Sequence, residues 1–107
     1  MILMHGLFDL NEGVEEGAFR ESFELFSKHL NTIEMVVSWR CMRHQEHDGF
    51  NSNQPDTRYY VSMEFLDMGQ AQQCWDRIED DSEPLHSLHT DVFSKIQNYR
   101  FFLASDI

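Results

Sequence analysis

Arg58-Tyr59-Tyr60-Val61-Ser62-Met63-Glu64-Phe65-Leu66 alternates with a period of two. Successive side chains on a strand point to opposite faces. Tyr59, Val61, Met63 and Phe65 therefore share one wholly apolar face, and Tyr60, Ser62, Glu64 and Leu66 share a mixed one. Two more segments sort the same way. Ile2, Met4, Gly6 and Phe8 face one side, with Leu3, His5 and Leu7 on the other. Between Glu34 and His44, the set Met35, Val37, Trp39 and Cys41 matches the apolar face, and Val36, Ser38, Arg40 and Met42 match the mixed one.

The segments between these strands change period. Phe19, Phe23, Phe26, Leu30 and Ile33 make one stripe on a helix, expected over about 15–30. Its acids crowd the first half and Lys28 and His29 come late, which complements the helix dipole. A second helix is expected to start near Gln70, burying Ala71, Cys74, Trp75 and Ile78. The run Glu79-Asp80-Asp81-Ser82-Glu83-Pro84 interrupts it, and Ser82 as cap with Pro84 in the first turn suits a fresh helical start. Leu85, Leu88, Val92, Phe93 and Ile96 continue as a stripe to about Lys95, and Tyr99–Ala104 reads as a last strand. Residues 45–57, with Gly49, Pro55 and several Asp, Asn and Ser, read as a long loop.

The order is β-α-β-β-α-β with the second helical part broken in two. Residues 1–107 are expected to form one domain, because a chain of 107 residues leaves no room for a second core. Two such units give an α+β ferredoxin-like sandwich: a four-stranded antiparallel sheet with helices on one face. Leu3, Leu7, Val36, Met42 and Leu66 then lie together on the bare face, a patch too large to leave wet. The same face of a second copy is its expected cover, making a homodimer.

This arrangement resembles the dimeric α/β-barrel superfamily, in which two ferredoxin-like protomers join sheets face to face. The likeness rests on the element order, the stripe Phe19, Phe23, Phe26, Leu30, the loop 45–57 and the mixed-face residues His5, Ser38, Arg40, Tyr60, Ser62 and Glu64. It covers the whole chain and is specific to architecture. It implies a pocket between sheet and helices or inside the barrel, and activities ranging from monooxygenases and dehydratases to ligand-binding regulators. Haem-degrading members use an Asn–Trp–His set; the first strand here has no Asn, and Trp75, His86 and His89 match that set only loosely.

His5, Arg40 and Glu64 are the candidate catalytic residues, since strand 3 lies between strands 1 and 2 and the three can converge. Arg40 and Glu64 would make a directional ionic pair, and His5 would move a proton near neutral pH. Ser38, Tyr60 and Ser62 are candidate ligand-binding donors in the same place; the plain alternative is that all six only register a dimer. One reading is therefore a cofactor-independent oxygenase or isomerase acting on a small hydrophobic compound with a polar group. The other is a non-catalytic small-molecule binder or a structural protein. No cofactor follows from the residues.

His44 with His47 and His86 with His89 are the only groupings that invite a metal, and without an HExxH pattern they read as solvated histidines. Cys41 and Cys74 form no CxxC and read as reduced thiols in a cytoplasmic protein, with one disulfide between them as the alternative. Trp39 and Trp75 read as core aromatics. The formal charge of −11, with Lys and Arg scattered singly, opposes nucleic-acid binding. No apolar run is long enough for a membrane span, and Met1–Phe8 lacks the basic flank and cleavage site of a secretory signal.

Overall fold

The computed structural model describes residues 1–50 and 57–107. Its elements run β1 (Ile2–Leu10), α1 (Glu16–Thr32), β2 (Ser38–Arg43), β3 (Tyr59–Phe65), α2 (Met68–Glu79), α3 (Leu85–Phe93) and β4 (Ile96–Ser105). The four strands form one antiparallel sheet in the order β2-β3-β1-β4. This is the ferredoxin-like sandwich expected from the sequence. Among the described residues, no helix is long and apolar enough to cross a membrane.

Register carries the alternation across the sheet. Phe8 pairs with Tyr59, Gly6 with Val61, Met4 with Met63 and Ile2 with Phe65, so the apolar parities fall on one face. Phe19, Phe23, Phe26 and Leu30 from α1 close over that face and are all buried. Polar ties hold α1 in place. Glu16 accepts hydrogen bonds from Arg43 Nε at 2.8 Å, Arg43 Nη2 at 2.6 Å and the Tyr59 hydroxyl at 2.7 Å. These donors, Arg43 first, hold the Glu16 carboxyl down at about 2. Trp39 Nε1 donates to Glu24 at 2.8 Å, so this aromatic is half-buried with its polar edge outward. Ser22 Oγ and Lys95 Nζ both donate to Asp91, at 2.6 and 2.7 Å, joining α1 to α3 and the start of β4.

Several expectations are corrected. β2 begins only at Ser38, because Glu34 at φ 60° turns the chain and the two-residue alternation does not extend upstream. Val36 consequently points into the core and Val37 is exposed, the reverse of the expected faces. Trp75 is 53% exposed rather than a core residue. Only Ala71 and Cys74 of α2 are buried, a stripe too narrow to include their neighbour at 75. Ser82 makes no side-chain cap; its carbonyl accepts from His86 N at 2.9 Å and α3 starts at Leu85. Ile96 opens β4 instead of ending a helix, since the chain leaves α3 at Ser94. Positions 51–56 of the expected 45–57 loop lie outside the described residues.

Candidate functional site

The bare sheet face is built in cross-strand rows. Arg40, Ser62, His5 and Phe102 stand side by side on β2, β3, β1 and β4. Ser38, Glu64, Leu3 and Ala104 form the row on one side, and Met42, Tyr60, Leu7 and Arg100 the row on the other. The six polar residues singled out in the sequence thus share one face. His5 Nδ1 and the Tyr60 hydroxyl are hydrogen-bonded, the imidazole tautomer setting which of them donates. The His5 ring stacks on Phe102 with centroids 4.9 Å apart. Ser38 Oγ donates to Glu64 Oε1 at 3.5 Å, because Ser38 lies directly opposite it and Arg40 only diagonally. Among the described residues, no ion pair joins Arg40 to Glu64. Leu3, Met42, Leu66 and Phe102 are exposed around this polar centre.

A different space opens on the other side of the sheet. A cavity of about 650 Å³ lies between the strands and the helices, within the size range of small-molecule pockets. Phe19, Phe23 and Phe26 of α1 form one wall, and Val61, Met63 and Phe65 of β3 lie at its base. Met68 and Trp75 of α2 and Tyr99, Phe101 and Leu103 of β4 line the side open to solvent. α2 buries only Ala71 and Cys74, and its other inward residues border this space. Its first turn is held there by Asp67 Oδ1, which accepts from Gln70 N at 2.8 Å. Gln70 Nε2 in turn donates to the Glu34 carbonyl at 2.9 Å.

His89 of α3 lines this cavity, correcting its expected place in solvent. Its ring lies 5.6 Å from Phe26 and 4.6 Å from Phe93. Burial among these rings, with His86 nearby adding to it, pushes its pKa below the ordinary histidine value. The imidazole is therefore neutral at pH 7 and can accept or donate one hydrogen bond. The sequence did carry a signal: His89 follows Leu85 by four and precedes Val92 by three, both of them buried. Cys74 also faces the cavity, and burial pushes its thiol up to about 11, so it stays protonated and unreactive. Burial likewise raises the Cys41 thiol.

His86 Nδ1 lies 3.2 Å from Asp81, and His47 Nδ1 accepts from Gly49 N and Phe50 N in its own turn. Among the described residues, no group of three or more His, Cys, Asp or Glu side chains is placed to hold a metal ion.

A family model described as "Family of unknown function (DUF6614)" matches residues 1–106. No curated protein matches the chain. Among solved structures, the At3g17210 protein of Arabidopsis thaliana superposes with a TM-score of 0.77 at 8% identity, covering 100% of this chain and 96% of that one. SnoaB, a cofactor-independent oxygenase from Streptomyces nogalater, gives a TM-score of 0.71 at 10% identity, covering 98% and 91%. A dabb family protein with a ferredoxin-like fold from Mesorhizobium loti gives 0.66 at 16% identity, covering 99% and 96%. At these identities the likeness is one of fold.

Proposed function

The chain belongs to the family of unknown function DUF6614, and from its geometry we propose a homodimer that binds a flat, largely apolar small molecule between sheet and helices. The observation that carries this reading is the cavity of about 650 Å³, walled by aromatic rings and facing the neutral imidazole of His89. Among the described residues no Lys or Arg lines it, and the chain's formal charge is −11, so the ligand is uncharged or only weakly acidic where it meets His89. The aromatic walls give affinity through burial, and His89 gives orientation through one hydrogen bond.

The bare face supports the dimer. Leu3, Met42, Leu66 and Phe102 are exposed there, and a second copy removes them from water. In this reading His5, Arg40 and Glu64, with Ser38, Tyr60 and Ser62, set the register of two apposed sheets. A solved relative of this fold from Thermobifida fusca is described as a dimeric ferredoxin-like protein, which agrees.

A second reading adds turnover. A neutral histidine in a largely apolar cavity is suited to take a proton from a bound phenol or acidic C–H group. SnoaB, of the same fold, is a cofactor-independent oxygenase. On this reading the chain is an oxygenase or isomerase without cofactor, with His89 as its base.

The binding reading is tested by titrating the protein with naphthalene, following the quenching of tryptophan fluorescence. Ala71 lies on α2 against the cavity, and Ala71→Trp fills it. Saturable binding by the native protein and its loss in the folded variant are expected. Native protein that does not bind, or a folded variant that binds equally well, overturns the reading.

A further inference from the structure

Gly6 lies in the interior of β1 on the helix-facing side, between Val61 of β3 and Phe101 of β4 in one cross-strand row. Side chains on a strand stand roughly perpendicular to the sheet, so a phenylalanine at 101 would ordinarily rise toward the helices. Here its ring leans sideways over β1. Phe101 Cε1 and Cδ1 lie 2.6 and 2.8 Å from the point that a Cβ on Gly6 would occupy, and Val61 Cγ2 lies 2.8 Å from the same point. Nothing but glycine leaves room for that arrangement. Glycine in a strand interior weakens the strand, and one reason to find it there is the close approach of another group. At Gly6 that group is a ring lining the ligand cavity, which also meets Phe93 and Tyr99 with centroids 5.7 Å away in each case.

We infer that Gly6 is a specificity-determining residue of this cavity: by letting the Phe101 ring lie down on the sheet, it sets how bulky an aromatic ligand can enter. The inference rests on the ligand-binding reading above. A methyl group at position 6 meets two neighbours, and only one can yield. Val61 is buried in the core, whereas Phe101 is 42% exposed on an edge strand. The ring therefore lifts away from β1 and toward Phe93, across space the ligand uses. Thin ligands still fit beside it and broad ones do not.

The experiment compares naphthalene with pyrene, both uncharged, by fluorescence titration of the full chain. The native protein is expected to bind both. Gly6→Ala should weaken pyrene relative to naphthalene by about tenfold, the scale of an overpacked site. Phe101→Ala removes the ring from a half-exposed position and should shift the ratio the other way by about threefold. Combining the two should restore pyrene binding. An unchanged ratio in folded Gly6→Ala, with naphthalene still bound, overturns the role of Gly6 alone. Native protein that binds neither hydrocarbon overturns the cavity reading and this inference together. Should Gly6→Ala not fold, the ratio in Phe101→Ala decides.

Discussion

Phe102 stands at the end of the row Arg40–Ser62–His5–Phe102 on the bare sheet face, stacked on His5 and 52% exposed in one protomer. A phenylalanine side chain presents roughly 200 Å² when fully open, so about 100 Å² of it awaits a partner. At about 25 cal/mol per Å², covering that area contributes about 2.5 kcal/mol. In a two-fold interface each residue occurs twice, which brings the total to about 5 kcal/mol per dimer. Every 1.4 kcal/mol is a factor of ten, so Phe102→Ala should raise the dimer dissociation constant by as much as about three to four orders of magnitude. Sedimentation equilibrium over a concentration series measures that constant directly, with circular dichroism confirming that the variant is folded. Native protein that sediments as a monomer at micromolar concentration refutes the reasoning. So does a dissociation constant changed less than about tenfold in the variant, since the ring would then lie outside the contact.

Four other outcomes are expected. Leu30 is fully buried, and Leu30→Ala should cost about 2–5 kcal/mol in urea denaturation, whereas Leu25→Ala on the exposed side of the same helix should stay within about 0.5 kcal/mol. Equal losses at the two positions would contradict the helix orientation. The His89 pKa is lowered in the fold, so the unfolded chain binds the proton more readily, and stability should fall as pH drops below the ordinary histidine value of 6.5. Thermal melts of His89→Gln should lack that part of the decline; an identical profile would remove His89 from the cavity. The Glu16 carboxyl, lowered from 4.5 to about 2, contributes stability above 4.5 that is lost as pH falls toward 2. This acid limb should flatten in Glu16→Gln and shrink in high salt, as an exposed cluster requires. Finally, Asp67→Ala removes the cap that accepts from Gln70 N and should cost about 1 kcal/mol, with hydrogen exchange quickened first in α2.

Much of the fold was legible because patterns of two and of three-to-four residues report which side of an element meets the core. Phe19, Phe23, Phe26 and Leu30 fell where their spacing put them, as did the apolar parities of β1 and β3. Legibility ended where local pattern and tertiary volume part. Val36 and Val37 exchanged faces because a left-handed turn at Glu34 delays β2, which alternation alone cannot show. Trp75 looked like core by type, yet α2 is too lightly packed to bury it. His89 reads as solvated in the sequence although it lies in line with Leu85 and Val92, because a polar residue on a buried stripe reads as an edge until the cavity it faces is known.

The order of strands and helices, the mixed character of one sheet face and the six polar residues that share it were determined by the sequence alone, because a strand allows each side chain only two directions. Where the cavity lies was decided only in three dimensions. It depends on how little of α2 is buried against the core and on a phenylalanine ring folding down over Gly6. Both follow from the mutual packing of groups up to about a hundred residues apart in the chain, which no periodicity within one element encodes.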